Sequence, residues 1–189
     1  MANRIVYRGK SIKLEEKDIE FPNGGISRSF PVVTHENGVI VVPIIKSHNE
    51  SKIVLIRQWR PAMGSYFLEV PGGGILDGES MENAARREIM EEAGLVVESL
   101  VYLGKVFPAP GWDVESQDHF IAFCSSEVYE QPQDDSATID RISISIDEAV
   151  RMLENREISD LKTRCIIYDA LYYLKKFNIT SERTPEDVS

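Results

Sequence analysis

The chain has 189 residues, 42% of them hydrophobic, which suits one domain of ordinary size with a small appendage and is enough for a real core. Its formal net charge of −10 repels nucleic-acid phosphates, so nucleic acid is excluded as a partner, while a small anionic ligand remains open wherever positive charge is local. No apolar run reaches the roughly eighteen residues a membrane span needs, and MANRIVYRGKSIKLEEKDIE lacks a signal-peptide core, so no membrane partner is expected and the expected address is cytoplasmic.

Residues 4–21 and 26–33 read as short strands broken by turns, with Asn23-Gly24 as a hairpin signal between alternating runs. From Gly38 the pattern changes to the continuous apolar runs GVIVVPII and KIVLIRQW, which predict buried central strands. A basic turn, RPAMG, leads to the strand SYFLEV and then to a glycine turn and a helix, PGGGILDGESMENAARREIMEEAGL. Beyond it lie the strand segment LVVESLVYLGKVF, the proline turn PAPGWDVESQ, the strand DHFIAFCS, a polar loop, and RISISI with period-two alternation. Two helices close the chain, DEAVRMLENRE and SDLKTRCIIYDALYYLKKF, the second with Leu161, Cys165, Tyr168 and Leu171 or Tyr172 spaced for one apolar face.

Strands interspersed with helices predict an α/β layered domain with an antiparallel annex at the front. The expected division is an annex over 1–37, a main domain over 38–178 and a loose tail over 179–189. The annex is too small to hold a core alone, so packing on the main domain or on a second subunit is needed, and a homodimer is expected. Cys124 and Cys165 lie in apolar segments without metal-ligand spacing and read as reduced core residues. His35, His48 and His119 share no face or motif and read as surface or loop histidines.

The helix after the glycine turn breaks an electrostatic rule. Ser80 is a good N-cap, Gly94 is placed to end the helix in a left-handed turn, and Ala85 and Ile89 suit burial on a sheet. Yet Glu88, Glu91 and Glu92 crowd its last turns, where like charges repel and the macrodipole is negative. A hard dication resolves the conflict, because Mg²⁺ or Mn²⁺ takes carboxylate and carbonyl oxygens and turns repulsion into shared attraction. Since Mg²⁺ also keeps waters and binds substrate phosphates, such a cage points to chemistry on a phosphate or diphosphate.

These residues resemble the Nudix box, G-x5-E-x7-R-E-U-x-E-E-x-G-U with U a bulky aliphatic, at Gly73, Glu79, Arg87, Glu88, Ile89, Glu91, Glu92, Gly94 and Leu95. The resemblance implies a Nudix hydrolase with a mixed-sheet α/β/α sandwich that cleaves nucleoside diphosphates linked to another group, using Mg²⁺ or Mn²⁺. It implies Glu88 and Glu92 as principal metal ligands, Glu91 as a further ligand or water-activating acid, and the Gly72 carbonyl as a backbone ligand. Arg87 and Glu79 resemble the pair that braces loop against helix.

Outside the box, IVLIRQWRPAMGSYFLEVPGG, Pro110 and the closing ENREISDLKTRCIIYDALYYL are similar to the ADP-ribose and ADP-sugar pyrophosphatase branch, over residues 5 to 176. Arg57 and Arg60 bring cationic charge near the glycine loop, and Arg60 matches a substrate-contacting arginine of that branch. The branch stacks an annex aromatic on the adenine, often across a dimer interface; Phe30 is the nearest match, Phe21 the second. It also places a catalytic glutamate before the strand that here is RISISI, where this chain offers Asp134, Asp135 and Asp140, with Ala137 in one register. Asp140 and then Glu115 of the proline loop are the candidate acids. The implied reaction is hydrolysis of ADP-ribose or an ADP-sugar to AMP and a sugar phosphate. The rivals are another nucleoside diphosphate sugar such as GDP-mannose, a dinucleotide, and a non-hydrolysing nucleotide sensor.

Overall fold

In the computed structural model, residues 3–46, 50–129 and 140–179 are described. Three strands form the annex: β1 (Asn3–Arg8), β2 (Ile12–Glu20) and β3 (Ile26–His35), antiparallel in the order β1-β2-β3. Asn23-Gly24 lies in the β2–β3 connection, where Gly24 takes φ 79° and Asn23 Oδ1 accepts from the Gly25 amide at 3.1 Å. The annex is mostly solvated, with Ile5, Tyr7 and Ile26 exposed.

The two continuous apolar runs become β4 (Gly38–Lys46) and β5 (Ser51–Arg60), whose central residues are buried on both faces. Around them lie β6 (Ser65–Glu69), β7 (Gly72–Gly74), β8 (Leu95–Val106), β9 (Gln117–Val128) and β10 (Asp140–Ser145). The main sheet runs β10-β5-β4-β9-β8, with β6 paired to β5 and β7 to β4. It is mixed: β4 and β9 are parallel and the other pairs antiparallel.

One face of this sheet is covered by α1 (Met81–Glu88) and the turn after it, through Ala84, Ala85, Ile89 and Ala93 packed on Val39, Val41, Val54 and Phe120. The other carries α2 (Ile146–Glu154) and α3 (Leu161–Lys176), with Leu153, Ile158, Ile166, Ile167 and Ala170 against Val42, Ile44, Leu55 and Ile121. The result is the expected α/β/α sandwich with a small N-terminal antiparallel sheet. The annex meets it where Val33 bridges Asp113, the Val33 amide donating to Trp112 O at 2.8 Å and the Val114 amide to Val33 O at 3.1 Å.

The expected apolar face of α3 is corrected. Of the expected stripe only Leu171 packs partly on the core; Leu161, Cys165, Tyr168 and Tyr172 are exposed, and Thr163, Ile166, Ile167 and Ala170 are buried instead. This helix carries apolar residues nearly all round, so spacing alone offers two stripes. The stripe chosen has the aliphatic residues and a small Ala that lets the helix approach the sheet, and it leaves tyrosine hydroxyls in water. Cys165 is therefore not a core thiol, whereas Cys124 is buried and its pKa is pushed up to about 12 by that burial. His119 is corrected as well: it is 1% exposed in β9, and burial lowers its pKa. His48 lies outside the described residues.

Ile167→Ala is expected to lower stability by about 2–5 kcal/mol, and Tyr172→Ala to stay within about 0.5 kcal/mol. Urea midpoints of the two variants check this choice of face; equal losses would contradict it.

Candidate active site

The site is built on one end of α1. Ser80 caps the helix, its Oγ accepting from the Asn83 amide at 3.2 Å, and Gly94 ends the segment at φ 62°. Between them the expected continuous α-helix is corrected, because Ile89–Ala93 winds as a π turn. A π turn inserts a wider i→i+5 loop, so Glu88 and Glu92 no longer stand one ordinary α turn apart. Ile89 and Ala93 both remain fully buried across the widened turn, and Arg141 of β10 donates to the Ala93 carbonyl at 2.7 Å.

Two acids lie against the glycine turn. The Gly72 amide donates to Glu92 Oε2 at 2.9 Å. Glu88 packs over Gly73 so closely that a Cβ there would meet its Oε1 at 2.3 Å. Any side chain at position 73 would evict the carboxylate, which is why the turn needs glycine. Glu88 is 8% exposed and its carboxyl is pushed above the usual range, first by burial, with Arg87 opposing. Glu92 is pushed up to about 7, again first by burial; the Gly72 amide opposes this and the charge of Glu88 adds to it.

Arg87 holds the frame. Its Nε and Nη2 donate to the two oxygens of Glu79 at 2.9 and 3.0 Å, and Nη2 also to the Gly74 carbonyl at 2.8 Å. Nη1 donates to Glu88 Oε1 at 2.6 Å and Glu91 Oε2 at 3.0 Å. Glu79 in turn accepts from the Leu76 amide at 3.0 Å, so its pKa falls, first through Arg87. Turn, helix and three glutamates thus share one guanidinium.

Arg60 approaches the same region in a bidentate pair with Glu69, Nε to Oε1 at 2.7 Å and Nη2 to Oε2 at 2.5 Å. Its pKa is raised first by Glu69, then, against burial, by the charges of Glu69, Glu92 and Asp160. Glu69 is 4% exposed and absent from the sequence-based candidates, although register foretells it: Ile56 pairs Glu69 and Arg60 pairs Ser65, so acid and arginine share one hairpin face.

Arg57 is three residues from Arg60 and so turns to the opposite face of β5, where it bonds Asp140 through Nε at 2.9 Å and through Nη2 and lies 5.1 Å over the Tyr66 ring. Asp140 is its cross-strand partner, on the face where Leu68 and Ile144 join the α2–α3 core. The expectation that both arginines flank the glycine loop is thus corrected for Arg57, which the structure pairs with Asp140. Glu115 stands beside His35 and Gln117 in the 107–116 loop, where Pro110 is exposed. Phe30 is half-buried in β3 opposite Lys17, and Phe21 is exposed. Asp134, Asp135 and Ala137 lie outside the described residues.

A hard dication fits this donor set: Glu88 and half-buried Glu92 are pushed toward protonation first by burial, nearby cations offsetting only part of their charge, and their donors are all oxygens. A NUDIX domain is matched over residues 34–163, spanning the annex junction, the turn, α1 and the start of α3. The chain belongs to the NUDIX family. This NUDIX protein is 29% identical to the ADP-ribose pyrophosphatase of Bacillus subtilis (strain 168) over 86% of each chain. It is 31% identical to the methanol dehydrogenase activator of Bacillus methanolicus over 84% of each. A crystal structure of an ADP compounds hydrolase superposes with a TM-score of 0.77 at 23% identity, covering 93% of both chains, which establishes the shared fold.

The raised Glu92 carboxyl sets a pH dependence. Its folded pKa, about 7, exceeds the ordinary 4.5, so the folded protein holds the proton more tightly than the unfolded chain and this contribution to stability is lost as pH rises from 4.5 through 7. A bound dication offsets the ionised charge. Saturating Mg²⁺ is therefore expected to raise the melting midpoint more at about pH 8 than at about pH 5.5. Differential scanning calorimetry with and without EDTA measures it, and an equal rise at both pH values would refute the reading.

Proposed function

We propose that this NUDIX protein is a divalent-metal-dependent pyrophosphatase that cleaves the diphosphate of ADP-ribose or a related ADP-sugar to AMP and a sugar phosphate. The observation that carries this reading is the convergence of buried Glu88 and half-buried Glu92 on the Gly72–Gly73 turn, both pushed toward protonation. The sequence relatives that carry pyrophosphatase names support the substrate class.

In this reading Glu88, Glu92 and the Gly72 carbonyl would hold Mg²⁺ or Mn²⁺, which would polarise a phosphoryl oxygen and lower the pKa of a bound water. Arg60, kept in place by Glu69, faces the diphosphate and neutralises charge that develops on its oxygens. Glu91 is the solvent-exposed box acid, its side chain 49% exposed with Oε2 on Arg87, and serves as a further ligand or as the acid that takes the proton of the attacking water. Glu79 and Arg87 position the turn against the helix and touch no reacting atom. Phe30 and Pro110 line the approach from the annex and the proline loop.

Glu92→Gln is expected to lower kcat by roughly 100- to 1000-fold with the fold intact, and EDTA to abolish turnover. A panel of ADP-ribose, ADP-glucose, GDP-mannose and NADH with product analysis tests the substrate: AMP plus ribose 5-phosphate from ADP-ribose is expected, and preference for GDP-mannose or NADH would redirect the assignment. Wild-type turnover by Glu92→Gln under saturating Mg²⁺ would sink the metal assignment.

We also propose that the NUDIX protein is a homodimer through its annex, where Ile5, Val6, Tyr7 and Ile26 are about half or more exposed on one small sheet. Sedimentation equilibrium at micromolar concentration is expected to give twice the chain mass of 21.4 kDa, and a monomer would overturn this.

A further inference from the structure

Where the annex joins the sandwich, three side chains outside the box converge. His35 ends β3, and Asp113 and Glu115 come from the 107–116 loop that β3 pairs with. His35 Nε2 is 3.8 Å from Asp113 Oδ2, and Nδ1 is 3.8 Å from Glu115 Oε2. Both distances are too long for a hydrogen bond. One ligand atom from each residue lies within 4.8 Å of the others.

Each carboxylate is already oriented by a hydrogen bond through its other oxygen. Asp113 Oδ1 accepts from the Glu115 amide at 2.9 Å, and Glu115 Oε1 accepts from Gln117 Nε2 at 2.7 Å. Such outer contacts aim the remaining oxygens of metal-binding carboxylates. Asn37 Oδ1 ties the two segments together, accepting from Ser116 Oγ at 2.9 Å.

Gln117 is the independent sign of a ligand. It is 2% exposed, and its amide oxygen is buried with no hydrogen-bond partner among the described residues. Turning the amide over does not help, because its oxygen would then face Glu115 Oε1. In the observed orientation the Gln117 amide oxygen, on the same amide group that donates to Glu115, lacks a donating neighbour among the described residues, which a cation or its water supplies.

We propose that His35, Asp113 and Glu115 form a second cation site, separate from the box, that takes a transition-metal dication of the Zn²⁺ class and fastens the annex to the proline loop. One imidazole and two carboxylates favour Zn²⁺ over Mg²⁺, which prefers oxygen donors alone. Two negative charges match a dication. The half-exposed His35 ring leaves room for water to complete the coordination. The site also borders the catalytic turn: Gln117 pairs with Gly38, and Gly38 pairs with Gly74.

The test is Zn²⁺ titration calorimetry of the full chain carrying Glu88→Gln and Glu92→Gln, which removes the box as a competitor. One equivalent of Zn²⁺ is expected to bind, with affinity at least tenfold weaker once His35→Gln is added. In parallel, the wild-type chain in excess Mg²⁺ is followed by ¹H–¹⁵N spectra of the histidine rings. Addition of Zn²⁺ is expected to shift the His35 ring nitrogens, whatever the folding of any variant. Absence of Zn²⁺ binding, binding indifferent to His35→Gln, or unmoved His35 signals would overturn the proposal and leave an imidazole between two carboxylates only. Because the readout is binding with the box neutralised or filled, it stands or falls apart from the hydrolytic reading.

Discussion

The Arg87 guanidinium is the point through which the catalytic end of the molecule is held together. It binds both oxygens of Glu79 and the Gly74 carbonyl, and reaches Glu88 and Glu91 as well. Planar, fixed donors suit this, because a lysine ammonium lacks the fork that engages a carboxylate side-on while also reaching a carbonyl. The cation fixes the turn on the helix and offsets part of the acidic charge. Glu92, half-buried against the Gly72 amide, has its carboxyl pushed up to about 7, first by burial and then by the charge of Glu88.

That residual charge links fold to chemistry. Glu88 lies over Gly73, where only glycine leaves room, and Glu92 accepts from the Gly72 amide, on a helix anchored by fully buried Ala85 and Ile89. In the reading proposed above, this rigid arrangement of oxygens on packed elements is pre-organised for a cation. The π turn over Ile89–Ala93 belongs to the same arrangement. It keeps the apolar side of the segment on the sheet while Glu92 reaches the Gly72 amide.

Around this centre, ion pairs sort the cationic residues by strand face. Arg60 and Glu69 stand on the hairpin face shared with Ile56, and Arg57 and Asp140 on the other, because strand residues an odd number apart point to opposite sides. The annex adds a third polar junction at His35, Asp113 and Glu115, where a solvated sheet meets the loop leading into β9.

The box was legible in the chain because its chemistry is local: a glycine turn, an N-cap at Ser80, a stop at Gly94 and acids at fixed spacing lie within one short stretch. The buried central strands were legible too, since β4 and β5 are apolar on both faces. Which stripe of α3 packs inward was not, because that helix offers two apolar faces and only the shape of the sheet selects Ile166, Ile167 and Ala170. Nor was the partner of Arg60, the pairing of Arg57 with Asp140, or the meeting of His35 with Glu115, which depend on strand register and on tertiary contacts that residue spacing along the chain does not fix.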